Sequence, residues 1–134
     1  MKRYLLALKV VLILAALNSV VSHLVSGIVP ETVNTILFNL VRVALVLWAG
    51  WVVIAARLGG LWGAAFGGAL VLVVDHPVVT GGFFLVAGEF SAFLGVLISF
   101  VMFVWFAMLL GLVGGLASRW RLSRVASLSG RTHR

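Results

Sequence analysis

Between Arg57 and Arg119 the chain carries only two formal charges, Asp75 and Glu89; the rest is mostly Leu, Val, Phe, Ala and Gly. A water-soluble fold cannot hide such a run, because a chain of about 150 residues buries only about 70% of the surface it exposes when unfolded. The run is far too long for one bilayer crossing of about 20 residues and suits two. The whole chain shares this bias. Of its 134 residues 63% are hydrophobic and 10% charged, where soluble domains have about 45–50% and about a quarter. Lipid is therefore the expected solvent, and the expected fold class is an all-α integral membrane protein.

Breakers divide the chain into four spans. The first is expected over residues 8–28. The opening "MKRYLLALKVVLILAALNSVVSH" resembles a secretory signal, but its apolar run exceeds the usual 7–15 residues and reads better as an uncleaved span. "GIVPETVNT" then supplies a turn, with Pro30 and Glu31 suited to a helix's first positions. The second span covers residues 36–56 and stops at Arg57, Gly59 and Gly60. Pro77 and Gly81-Gly82 are the strong breakers in the long apolar run. They predict a third span over residues 61–79 and a fourth over residues 90–117. One transmembrane domain, residues 1–117, is followed by a basic tail, residues 118–134, amphipathic at its start and disordered at its end.

Charge predicts direction. In a four-span arrangement Lys2, Arg3, Lys9, Arg57, Arg119, Arg121, Arg124, Arg131 and Arg134 fall on one side, and Glu31, Asp75 and Glu89 on the other. The positive-inside rule makes the basic side cytoplasmic, giving a small antiparallel bundle with both termini inside. The net charge of +7 is then explained by attraction to anionic lipid at the inner surface, with no nucleic-acid partner. Leu122, Val125 and Ala126 recur at helical spacing beside Arg121 and Arg124, which predicts a short helix lying among the headgroups.

Apolar side chains gain little by leaving lipid for each other, so membrane helices associate through close backbone approach and hydrogen bonds. Gly59, Gly63 and Gly67, with Gly60, Ala64 and Gly68 beside them, and Ala107, Gly111 and Gly115, form two ridges at four-residue spacing. They predict tight packing of the third span on the fourth, with self-association as the competing use. Trp62 and Trp120 suit an interfacial position; Trp48, Trp51 and Trp105 read as packing residues.

Polar residues inside these spans need partners. Asn18, Ser19, Ser22, His23 and Ser26 share one face of the first span, and Glu31, Thr35, Asn39 and Arg42 one stripe of the second. Without water, the stripes are expected to face each other or a recess floored by Arg42. Arg42 is expected to pair with Asp75 or Glu89, in a network that includes Asn18, His23 and Asn39. Asp75-His76-Pro77 reads most simply as the outer end of the third span, with proline stopping the helix. A sharper reading gathers His23, Asp75, His76 and Glu89 around a metal or proton, since imidazole and carboxylate are suitable ligands. Their spacing is unsupportive, and haem ligation between His23 and His76 has no second feature behind it. No cofactor is expected.

No catalytic constellation or phosphate loop occurs; "GGLWGAAFGG" lacks the lysine of such loops. The expected function is therefore non-enzymatic: an accessory or structural subunit of a larger membrane complex. The alternative is a homo-oligomeric channel or transporter using the Arg42 recess. A membrane-permeabilising protein of viral type is compatible with the size and basic tail and specifically indicated by neither.

Overall fold

The computed structural model describes residues 2–131. Residues 132–134, which include Arg134 of the sidedness argument and the last residues of the end expected to be disordered, lie outside the described residues. Within them the protein is helical, without strands: α1 (Lys2–Val25), α2 (Glu31–Ala55), α3 (Leu61–Val73), a π-helical segment (Val74–Thr80), α4 (Gly81–Val86) and α5 (Phe90–Arg131). Because α3, the π segment and α4 form one stretch, Leu61–Val86, four stretches are long and apolar enough to cross a membrane. That is the architecture of a multi-pass membrane protein.

Pro77 does not end the third span. A proline inside an α-helix lacks an N–H and presses its ring on the carbonyl four residues back. Here the chain answers by widening: Gly81 donates its N–H to the His76 carbonyl, five residues back. The helix resumes as α4 and runs to Val86, past the expected end at Val79. Asp75 and His76 therefore sit within a spanning stretch rather than at its outer boundary. The turn that follows is closed by Gly88 at φ 77°, where Gly88 N–H reaches Leu85 O at 3.1 Å and Glu89 N–H reaches Phe84 O at 2.8 Å. This pair of bonds is the Schellman stop that favours glycine.

The tail also departs from expectation. It continues α5 without a break as far as Arg131, so it is an axial extension of the last span and no separate helix turned along the headgroups. At about 1.5 Å per residue the 42 residues of α5 extend roughly 63 Å.

Packing is built on small residues. The core joins Val11 and Ala15 of α1, Leu45, Val46 and Ala49 of α2, Val71 and Leu72 of α3, and Ala107 of α5. Helices α2, α3 and α5 approach until backbone meets backbone. A Cβ on Gly50 would strike the carbonyl of Gly111, one on Gly111 the carbonyl of Ala64, one on Gly68 that of Ala107, and one on Gly114 that of Leu47. The α3 residues facing α5 are thus Ala64 and Gly68, while Gly63 and Gly67 face Val53 of α2 and Gly59 neighbours only Gly63. The expected ridge is displaced by one residue, and Ala107, Gly111 and Gly115 meet its other side. Among the described residues α1 packs on α2, α3 and the π segment without reaching α5.

Gly111→Ala is expected to destabilise the bundle by about 1–3 kcal/mol, the cost of overpacking a close contact. Gly95→Ala, on the same helix with nothing within 4 Å of its would-be Cβ, should leave the detergent melting temperature unchanged. Equal behaviour of the two variants would contradict the close-approach account.

Candidate functional site, an intramembrane ion pair and its cavity

Arg42 lies midway along α2, eleven residues beyond Glu31, or roughly 16 Å at about 1.5 Å per residue. That depth puts its charge far from either end of the helix. A central arginine is penalised by about 2.5–3.5 kcal/mol on insertion scales, so it needs a counter-charge. Its Nε approaches Oδ2 of Asp75 to 2.5 Å; the Asp75 side chain is 1% exposed and that of Arg42 27%. The approach is coulombic rather than an aligned hydrogen bond, and neither carboxylate oxygen accepts one among the described residues. Arg42 Nη1 donates to Asn39 Oδ1 at 2.5 Å, which holds the guanidinium along the surface of α2.

The π segment is itself tied to α1. The Asp75 carbonyl accepts from Ser19 Oγ and Thr80 Oγ1, each at 3.1 Å. Thr80 Oγ1 also lies 3.2 Å from Ser19 Oγ and 3.2 Å from His23 Nε2. The His23 ring rests 4.9 Å from that of Phe83. Widening at Pro77 and the two hydroxyls address one problem, since a bulged helix leaves carbonyls in need of donors and lipid offers none. The α1–α2 contact uses Asn18 Nδ2, donating to Phe38 O at 3.3 Å, and Asn34 Nδ2, donating to Ser22 O at 3.4 Å.

The residues expected from sequence are therefore divided. Asn39, Arg42 and Asp75 converge; His23 joins Asp75 through Thr80; Asn18 stitches α1 to α2. Glu89 stays exposed in the turn before α5 and beside His23 on a shallow depression. Glu31 and Thr35 are exposed too, so the two polar stripes do not meet face to face. Among the described residues no three His, Asp or Glu side chains come together as a metal site, which leaves the gathering of His23, Asp75, His76 and Glu89 without geometric support. Thr80 and Asn34 were not anticipated. Thr80 stands five residues from Asp75, a spacing that becomes neighbourly only in a π turn.

Beside the ion pair is a cavity of about 480 Å³ between α2, the π segment and α5. Asn39, Arg42 and His76 form its polar end, and Val43, Phe103, Phe106 and Leu110 much of its apolar wall. No family model matches this chain, and no curated protein or solved structure matches it.

Removing one partner of a buried pair strands the other charge, at a cost of about 3–5 kcal/mol. Arg42→Leu should accordingly insert but melt well below the parent in detergent, and Arg42→Leu/Asp75→Leu should recover most of the loss. A single variant as stable as the parent would show that the pair contributes nothing.

Proposed function

We propose that the chain is a non-catalytic accessory or structural subunit of a larger membrane protein complex, lying in the bilayer as an antiparallel bundle with both termini cytoplasmic. The observation that carries this reading is the length of α5. Its roughly 63 Å is about twice the ~30 Å hydrocarbon core, so its C-terminal turns project into water. Along that projection Leu122 is 53% exposed, Val125 58% and Leu128 64%. They follow one another at three-residue spacing, beside Arg121 and Arg124. An apolar stripe flanked by arginines suits a groove of complementary charge on a neighbouring subunit, read by the helix-in-groove mode. Arg119 and Arg121, nearest the bilayer, would draw anionic headgroups at the same surface. The inner location of this end follows from the clustering of Lys and Arg at it.

Glycine contacts fit a supporting role as well. Gly63, Gly67 and Gly68 of α3 and Gly111 and Gly115 of α5 are engaged inside the bundle, and the stripe on α5 is the surface proposed for partners. A second reading, a homo-oligomeric channel or transporter, is favoured by the cavity at Arg42.

Extraction of the full chain in mild detergent should bring larger membrane partners with it at fixed stoichiometry. Changing Leu122, Val125 and Leu128 together to Ser should release them without affecting insertion; recovery of the parent chain as a pure homo-oligomer would favour the channel instead. Because the chain has no native cysteine, direction can be read with single Gly27→Cys and Ser127→Cys variants. A membrane-impermeant maleimide should label the first from outside intact cells and the second after lysis, and the reverse pattern would overturn the orientation.

A further inference from the structure

We propose that the cavity beside Arg42 binds a neutral, lipid-soluble molecule whose carbonyl oxygen accepts hydrogen bonds from Arg42 and Asn39 while its apolar body lies against Phe103 and Phe106. The volume, about 480 Å³, falls within the roughly 300–1,000 Å³ typical of small-molecule sites, which are likewise mostly apolar with a few convergent polar groups.

Three features define the ligand's chemistry. The first is a surplus of donors. A guanidinium offers five N–H groups and an asparagine amide two. Arg42 uses Nε towards Asp75 and Nη1 towards Asn39 Oδ1. Among the described residues the bond from Arg42 Nη1 to Asn39 Oδ1 is the one hydrogen bond these two side chains make, and His76, which shares this end, has a buried Nδ1 without a hydrogen bond. An occupant that pairs with the remaining N–H groups of Arg42 and Asn39, which line this end, supplies acceptors. The second feature is charge. Arg42 is already balanced by Asp75, so an anionic occupant would add an uncompensated charge midway through the span, where charge is costly. A carbonyl oxygen meets the donors without that cost. The third is the wall. Phe103 and Phe106 stand 6.4 Å apart at 43°, and at 56% and 63% exposure they form a rim open to the side of the bundle. A molecule dissolved in the hydrocarbon reaches the site without crossing water, and aromatic faces at this spacing accommodate a flat ring or an acyl chain.

Two sources share this chemistry, a quinone-type ring with carbonyls and the ester of a neutral glyceride. The test uses the full chain in nanodiscs, with empty nanodiscs as the partition reference. Equilibrium dialysis with a decyl-substituted benzoquinone should give saturable binding above partition. Displacement by monodecanoylglycerol at similar concentration would assign the carbonyl to an ester; failure to displace would assign it to a ring. Arg42→Lys keeps the charge opposite Asp75 but loses the planar fork, and should weaken binding about tenfold, as expected for one hydrogen bond. Val43→Phe fills the cavity from an exposed position whose side chain takes no part in the ion pair, and should abolish saturable binding. The proposal is overturned if neither neutral probe saturates, if Val43→Phe binds like the parent, or if decanoate binds more tightly than both.

Discussion

The pairing of Arg42 with Asp75 is the interaction on which the arrangement of the other polar groups depends. Neither charge is tolerable alone midway through an apolar helix, and each is available only because the other is held opposite it. Asp75 lies in the widened segment around Pro77, and that segment is held by Ser19 and Thr80 at the Asp75 carbonyl. One residue's backbone is thus fixed from α1 while its side chain is engaged from α2. Three elements are joined at Asp75, and His23 is recruited through Thr80.

The bundle is held in two different ways. Helices α2, α3 and α5 meet through glycine, where close backbone approach supplies dispersion that larger side chains would prevent. Helix α1 packs Val11 and Ala15 into the core and adds polar side chains, with Ser19, His23 and Asn18 reaching outward and Asn34 reaching back. The division matches the distribution of polar residues, which gather on α1 and in the first half of α2, whereas α3 has no charged, hydroxyl or amide side chain and α5 has only Ser91 and Ser99 before Ser118.

Composition made the four spans legible, because a bilayer demands long apolar helices and little else in the chain competes with that reading. The candidate site was legible only in part. Arg42 stood out as a charge in an apolar segment, and few acids were available to answer it. Proline's usual meaning misled: Pro77 stops most helices, but a π turn removes the clash without ending the span, and periodicity at 3.6 residues cannot register it. The same local widening hid Thr80. Gly63 and Gly67 formed a regular ridge, yet adjacent Ala64 and Gly68 form the α5 contact, since two small-residue rows one position apart cannot be distinguished without the crossing geometry. Continuity of the tail with α5 was missed for another reason. Arginine ends the apolar pattern without ending helix propensity, because Arg, Leu and Ala all favour helix.

Charge balance also constrains what the region beside the pair can accommodate. An unpaired arginine at this depth would draw anions from either surface and would be indifferent to the rest of their structure. With Asp75 cancelling its charge, Arg42 retains direction but little net field, and its remaining N–H groups act as oriented donors in a low-dielectric wall. Selectivity then passes from charge to geometry: the position of an acceptor relative to Arg42 and Asn39, and the fit of an apolar body against Phe103 and Phe106. A pair that first reads as a structural necessity of burying arginine therefore also decides the polarity of the cavity beside it.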